Sequence, residues 1–443
     1  MNAARARRTL VAVLAVVLVS APACAAPVVE TVGDGPEWDW TRQELPLRLG
    51  VTHMQVSLAP GDPAAALARG RAVLAASGPL QAQHLMGFGV LNPEPSPGAY
   101  DWTSLDTRMR LIADTGGETV LTLAAAPDWM KGGAPGSTNW SRIEDAPLPA
   151  HYDDFAALCA AAVRRYPQVG HVQVWNELKG FYDAARNRWD VEAYAVLYDR
   201  VYRAVKAVRP DVAVGGPYIP LDAWANPAVA PSDVSGPWGV ADQRSLDVLT
   251  YWLGHNPGAD FLVVDGGDGT KDRGLLTTPT DAADRFAVLT RWLRARSPLP
   301  VWWAEFYPEI AEEGGPEDPQ VGAASPRRAV ATLEALAAFA RSGASAAMLW
   351  QPQQSTDFPY AALWTDTAAP DGGRPTPLTT PWAWLAPRLH RGVVETGRSP
   401  DGRLLAFRDT RDGGELLVAN TSADDVRVGA TTVPAMSTAV LPR

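Results

Sequence analysis

The chain contains the stretch His171-Val172-Gln173-Val174-Trp175-Asn176-Glu177, and this stretch decides the fold. Residues 171–174 form a short run typical of a buried strand, and an acid follows shortly after it. Far downstream, a second apolar run at residues 299–304 ends in Glu305. Because a (β/α) barrel builds its cleft at the C-terminal ends of its strands, the two acids are predicted to face one cleft.

Strand-like and helix-like segments alternate along most of the chain, which is typical of βα units around a parallel sheet. Eight strands are predicted, at residues 49–54, 83–88, 119–123, 171–175, 212–215, 261–264, 301–304 and 346–350. Eight is the number of strands that closes a TIM barrel. The predicted fold class is therefore α/β, a (β/α)8 TIM barrel over residues 25–390.

Two of the intervening helices have clear end signals. Asp190 is predicted to cap a helix that Pro210 stops, because an aspartate can accept a hydrogen bond from the first turn. Ser325-Pro326 is predicted to open a second helix, which Gly343 closes. Both helices are expected in the outer ring of the barrel.

The pattern changes after residue 390, and residues 391–443 are predicted to form a small, sandwich-like β appendage. Asp412-Gly413-Gly414 is a hairpin signal between two of its strands. The appendage is too small to form a sandwich alone, so we expect it to recruit a strand from residues 28–32. Its own strands are predicted at residues 403–407, 415–419 and 438–441.

The first 24 residues are typical of an export signal. Three arginines precede an apolar run at residues 10–19, and small residues follow it. That run is shorter than the about 20 residues needed to span a bilayer. Secretion is therefore predicted. Cys24 lies where a bacterial lipoprotein signal places its acylated cysteine, so lipid anchoring to the cell surface and simple cleavage both stay open.

Composition excludes several classes of function. A net charge of -10 without a Lys/Arg cluster argues against nucleic acid, whose binding requires a basic surface. The 17 tryptophans include candidates for stacking on flat ligands. The six histidines show no His-Glu-x-x-His spacing, and there is no phosphate-binding glycine loop, so no metal or cofactor is predicted.

Paired carboxyl groups in one cleft are typical of glycoside hydrolysis. In the retaining form of that reaction, one acid protonates the leaving oxygen and a second, ionised carboxylate attacks the sugar. Glu177 and Glu305 end the fourth and seventh predicted strands, which lie on opposite sides of the barrel mouth. The sequence therefore predicts a glycoside hydrolase acting on a carbohydrate.

Further segments resemble retaining glycoside hydrolases of clan A, and in particular family 39, which includes β-xylosidases and α-iduronidases. These segments are residues 97–106 (PGAYDWTSLD), Phe181-Tyr182 and residues 214–217 (VGGP), within a resemblance that covers residues 47–390. The resemblance implies that Glu177 is the acid/base and Glu305 the nucleophile. It also implies that Asn176 binds the sugar 2-hydroxyl and that Trp350 forms a platform under the sugar.

The chain departs from the family pattern at two strands. The sixth strand ends in Asp265 and two glycines where the family has a His-x-Tyr-like segment, and Ala82 precedes His84 where the family has arginine. Asp265 is predicted to bind an additional hydroxyl or branch of the substrate. The alternative is that Asp265 caps the following turn.

Five further residues fall at or just past strand ends and are predicted either to bind substrate in the cleft or to pack at its rim: His53, His84, Trp129, Tyr218 and Tyr307. Two alternatives to a retaining hydrolase of β-linked glycosides stay open. One is an endo-acting polysaccharide hydrolase of the same clan, and the other is a surface glycan-binding barrel without turnover.

Overall fold

The computed structural model describes residues 37–78, 80–309, 325–355, 357–358, 360–411 and 414–442. Four predictions fall outside the described residues. They are the export signal at residues 1–24, the lipid-anchor position Cys24, the recruited strand at residues 28–32, and the first two residues of the turn at 412–414.

Eight parallel strands close into a barrel in which each strand pairs with the next along the chain and the last pairs with the first. They are β1 (Arg48–Thr52), β2 (Leu80–His84), β3 (Glu118–Leu123), β4 (Val169–Val174), β5 (Ala213–Pro220), β6 (Phe261–Gly267), β7 (Val301–Tyr307) and β8 (Ala346–Trp350). The predicted TIM barrel is confirmed.

One helix follows each strand. The helices are α1 (Ala64–Ala76), α2 (Thr103–Asp114), α3 (Tyr152–Arg165), α4 (Val191–Val208), α5 (Gln243–His255), α6 (Pro279–Arg294), α7 (Pro326–Ser342) and α8 (Thr379–His390). The predicted caps are present: the Asp190 side chain accepts from the Ala193 amide, and Ser325 accepts from Arg327. Gly343 ends α7 with a left-handed φ of 76°. No helix among the described residues is both long and apolar enough to span a membrane.

The prediction for the second strand was wrong in position, since residues 83–88 were expected and β2 is Leu80–His84. Polar residues at its centre made the segment look unlike a buried strand. All five of its residues are nevertheless buried, because Gln81 hydrogen-bonds both His53 and Thr115. A buried polar side chain is tolerated when it has such partners.

Two apolar clusters hold the barrel together. The larger lies between the strands and the helix ring, and the smaller fills the barrel interior with side chains from several strands, such as Phe261, Val263 and Trp302. Inward and outward side chains alternate along each strand, so one strand serves both clusters. The filled interior leaves the C-terminal mouth as the place where a cavity forms.

Short elements surround that mouth. After β4 there is a two-stranded hairpin, Tyr182–Asp183 with Arg188–Trp189. The segment after β5 forms a three-stranded sheet of Ala223–Trp224, Ser235–Gly236 and Gly239–Ala241. Three 3-10 helices lie between β3 and α3, at Asp128–Lys131, Trp140–Arg142 and Pro149–His151.

A five-stranded antiparallel sheet joins the two ends of the chain, in the order Asp39–Arg42, Val394–Arg398, Leu404–Asp409, Glu415–Asn420 and Thr438–Pro442. Within the described residues the strand recruited from the N-terminal side is therefore at 39–42. One face of the sheet, including Phe407 and Leu417, joins the barrel's main apolar cluster. The other face packs against the hairpin Val426–Val428 with Thr431–Val433.

Candidate active site

A cavity of about 440 Å³ opens at the C-terminal ends of the barrel strands. Glu177 and Glu305 both line it, and so do Asn176, Tyr307 and Trp350. Small-molecule sites have volumes of roughly 300 to 1,000 Å³, so the cavity is large enough for a sugar-sized ligand.

Glu177 reaches the cavity from a sharp turn after β4. Trp175 and Glu177 have left-handed φ values of 71° and 48°, which side-chain-bearing residues rarely adopt. The buried Trp175 ring anchors the turn, because it packs edge-on against Phe155 and its Nε1 donates to the Lys179 carbonyl at 2.7 Å. Anchoring by the tryptophan lets the next two side chains point into the cavity.

Lys179 lies in the same turn and forms two ion pairs across the cavity wall. Its Nζ is 2.7 Å from Glu177 Oε2 and 2.7 Å from Glu144 Oε1. Burial raises the pKa of Glu177, but the Lys179 charge and the contact with Asp265 outweigh it, so the pKa lies below its usual range. Glu177 is therefore an ionised carboxylate in the free protein.

Glu305 lies on β7 and is almost fully buried. Burial and the nearby Glu177 charge raise the pKa of Glu305 to about 8, and the Tyr218 hydroxyl, which interacts with this carboxyl, partly offsets them. Tyr218 is itself fully buried on β5. A buried carboxyl group and a buried tyrosine from different strands thus meet beside the cavity.

Asp265 joins these two acids from β6, where its Cα pairs with that of Glu305. One carboxylate oxygen from each of Glu177, Asp265 and Glu305 lies within 4.8 Å of the others. Among the described residues this is the one group of His, Cys, Asp and Glu side chains close enough to share a metal ion. Lys179 places a positive charge beside these three acids through its ion pair with Glu177.

Asp265 does not line the cavity, although it was predicted to bind substrate. Its side chain is fully buried behind the two glutamates. Burial, followed by the charges of Glu177 and Glu305, raises its pKa well above the usual range. Its position indicates contact with Glu177 and Glu305.

Aromatic rings form one wall of the cavity. Trp350 at the end of β8 lies 5.6 Å from Tyr307 and 5.4 Å from Tyr360 between ring centroids. Phe358 packs against the other edge of Trp350, at 5.2 Å. Such a wall suits the apolar face of a sugar ring, because aromatic faces stack on flat, weakly polar surfaces.

Four of the five predicted strand-end residues lie outside the cavity lining: Tyr218, described above, and His53, His84 and Trp129. His53 is buried and hydrogen-bonds Gln81 at 3.1 Å, and burial, with the nearby Arg108 charge, lowers its pKa to about 3. His84 is fully buried and interacts with Asn176, so it reaches the site only through that residue. Trp129 donates from Nε1 to the Glu94 carbonyl at 2.9 Å.

Sequence reasoning missed several residues of the cavity wall: Lys179, Glu144, Asp222, Lys271 and Arg285. Lys179 had a usable signal, because it follows Glu177 by two residues in one turn. Arg285 had none, since it lies on α6 and reaches the mouth by donating to the Gly269 and Leu221 carbonyls. Lys271 pairs with Asp222 at 3.7 Å.

The fold occurs in known glycosidases. A monomeric β-xylosidase from Caulobacter crescentus CB15 is 18% identical, with a TM-score of 0.55 over 87% of this chain and 74% of that chain. A glucosidase from Croceicoccus marinus is 15% identical, with a TM-score of 0.53 over 93% and 83%. A family 39 glycoside hydrolase from Bacteroides cellulosilyticus WH2 is 16% identical, with a TM-score of 0.53 over 90% and 79%.

These similarities confirm, at the level of the fold, the resemblance to family 39 glycoside hydrolases. No protein-family model matches the chain. No curated protein matches it in sequence.

Proposed function

We propose that this protein is an exported retaining glycoside hydrolase that cleaves a β-linked glycoside by double displacement. The observation that carries the proposal is the close approach of Glu177 and Glu305, whose nearest oxygens lie within 4.8 Å in the cavity. Carboxyl pairs about 5 to 5.5 Å apart are typical of retaining enzymes, whereas inverting enzymes need about 6.5 to 9.5 Å for a water. The spacing therefore supports direct attack by a carboxylate.

In this mechanism Glu305 attacks the anomeric carbon while Glu177 protonates the leaving oxygen. Water then releases the sugar from Glu305, with Glu177 acting as the base. The raised pKa of Glu305 and the lowered pKa of Glu177 favour the proton on Glu305 before substrate binds. Because closely spaced carboxyls titrate as a unit, the reactive form is the arrangement with that proton on Glu177.

Asn176 and the aromatic wall would bind the sugar. The Asn176 side chain lines the cavity directly beside Glu177, where it can hydrogen-bond a hydroxyl next to the reacting carbon. Trp350 and Tyr307 supply the stacking surface. The similarity in fold to a β-xylosidase and a glucosidase supports a β-glycoside as substrate. An endo-acting hydrolase of polysaccharides is the alternative within the same mechanism.

Export is proposed from the sequence of residues 1–24, with either cleavage near Cys24 or acylation of that cysteine. The mass of the mature N-terminal peptide distinguishes the two, since acylation adds a lipid to Cys24. The signal at 1–24, the barrel at 25–390 and the appendage at 391–443 are the proposed units of the chain.

The test is hydrolysis of a panel of nitrophenyl glycosides and polysaccharides by the wild type, Glu177→Gln and Glu305→Gln. The wild type should turn over at least one β-glycoside, and each variant should lose that activity on a natural substrate. Glu395→Gln is the matched control, because Glu395 pairs with Arg408 in the terminal sheet, far along the chain from the cavity residues. Binding of glycans without turnover would instead indicate a non-catalytic binding barrel and overturn the proposal.

A further inference from the structure

Asp265 is the acid whose surroundings differ most from those of a surface carboxylate. It lies on β6, with its Cα paired to Glu305 on one side and to Pro220 on the other. Its side chain is 0% exposed, and one of its oxygens lies within 4.8 Å of oxygens of both glutamates. The residue is therefore sealed between two acids and the barrel interior.

Neither carboxylate oxygen of Asp265 accepts a hydrogen bond from any N–H or O–H group in the described part of the chain. An isolated buried carboxylate without donors is strongly unfavourable, so such a group takes up a proton instead. A protonated carboxyl is a donor and needs an acceptor. Two glutamates lie within 4.8 Å of Asp265, and the one with which it forms a side-chain hydrogen bond is Glu177.

The charged and titratable groups that face Asp265 come from three neighbouring strands. The turn after β4 contributes Glu177, the β5 side contributes Asp222 and Tyr218, and β7 contributes Glu305 and Tyr307. Every one of these groups is acidic or neutral. The nearest ammonium, that of Lys179, is bound to Glu177 and Glu144.

We propose that Asp265 is a permanently neutral carboxylic acid that donates a hydrogen bond to Glu177 and so fixes the orientation of that carboxyl. The Glu177 carboxylate is then held by two neighbours: Lys179 forms an ion pair with it, and Asp265 donates a hydrogen bond to it. The raised pKa of Asp265 agrees with this placement. Asp265 is thus a positioning residue, and its effect on turnover rests on the proposed acid/base role of Glu177.

The kinetic test compares Asp265→Asn with Asp265→Ala. Asparagine keeps a donor of the same shape but has no titratable proton, so its kcat/KM and pH profile should stay within about threefold of the wild type. Alanine removes the donor and should lose part of the about 10²- to 10⁴-fold contribution of general acid catalysis. That loss should appear in kcat on substrates with poor leaving groups, while activated aryl glycosides are spared. Equal, large losses in both variants would overturn the donor role.

A second test needs no substrate and therefore stands apart from the proposed function. At pH 9, Glu305 and Asp268, whose pKa values are raised by burial to about 8, are mostly ionised. An infrared carbonyl band of a protonated carboxylic acid should still remain at this pH. It should disappear in Asp265→Asn and persist in Asp268→Asn, which removes a matched buried acid. Absence of the band in the wild type at pH 9 would show that Asp265 ionises and would overturn the proposal.

Discussion

Glu177 is the residue on which the proposed chemistry depends most directly. Glu177→Gln removes the proton donor but keeps the size of the side chain and its place in the turn. We expect hydrolysis of glycosides with poor leaving groups to fall by about 10²- to 10⁴-fold, because these need protonation to depart. Activated aryl glycosides should lose far less. Steady-state kinetics on a matched pair of such substrates measures the difference.

Two results of that experiment would contradict the assigned roles. Equal losses on both kinds of leaving group would show that Glu177 does not act as the general acid. If Glu305→Gln kept its activity on aryl glycosides and Glu177→Gln lost it, the roles of the two glutamates would be exchanged.

The one proton shared by Glu177 and Glu305 should set the basic limb of the pH profile. Burial and the Glu177 charge raise the pKa of Glu305 to about 8, and the reactive form carries that same proton on Glu177. We therefore expect kcat/KM on a substrate with a poor leaving group to fall as pH rises through about 8, because the pair then has no proton to donate. In Glu177→Gln an activated substrate needs no proton donor, so this fall should disappear. A wild-type kcat/KM that rises with pH up to and beyond about 8 would contradict this assignment.

The sequence allowed the two catalytic candidates to be predicted, because each follows a buried strand that a barrel aims at its mouth. It did not allow the environment of these residues to be predicted. Asp265 approaches Glu177 and Glu305 from a different strand, and such contacts leave no periodic signal. Lys179 is different, because it follows Glu177 by two residues in the same turn. His53 and His84 also fall at strand ends, yet both are buried outside the cavity lining, a difference that the strand pattern alone does not indicate.

At the scale of elements, the paired strands β1 and β2 leave little space for an additional side-chain atom between them. A Cβ at Gly50 would lie 2.4 Å from Leu80 Cβ and 2.6 Å from the Leu80 carbonyl oxygen. The two strands are directly paired at these residues. A side chain at position 50 would therefore push the strands apart.

Gly50→Ala should lower the free energy of unfolding by about 1–3 kcal/mol, the usual cost of overpacking. Gly170→Ala is the matched control, because Gly170 also lies in a barrel strand and a Cβ there would meet nothing within 4 Å. Urea unfolding measures both variants. Equal midpoints for the two would show that the strands adjust without strain.

The elements themselves were largely predictable, because hydrophobic patterns and caps mark them locally. All eight strands are present, seven of them near their expected positions, and the caps at Asp190, Ser325 and Gly343 occur as expected. The boundary of β2 was missed, since its buried glutamines are satisfied by residues distant in sequence. Strands β5, β6 and β7 also continue past their predicted ends into the mouth, through register shifts that the sequence does not mark.

At the scale of the whole molecule, the terminal sheet and the barrel share one apolar cluster. Phe407 is fully buried on the sheet face that joins this cluster. Val428 is partly buried on the outer hairpin. The shared cluster indicates that the sheet and the barrel unfold together.

Phe407→Ala should lower the free energy of unfolding by about 3–5 kcal/mol. It should also lower the midpoint temperature of one unfolding transition, seen equally by far-ultraviolet circular dichroism and by enzymatic activity. Val428→Ala should have a smaller effect, because the hairpin adds little to the shared cluster. If activity survived a first transition that removed the sheet signal, the two parts would be independent.

The most direct test of the proposed function is the configuration of the sugar first released. Proton NMR of the early products of a β-glycoside, recorded before mutarotation, distinguishes the two anomers. The short distance between Glu177 and Glu305 leads us to expect the β-anomer, formed through a covalent intermediate on Glu305. Release of the α-anomer would show inversion by a water and would contradict the double-displacement mechanism.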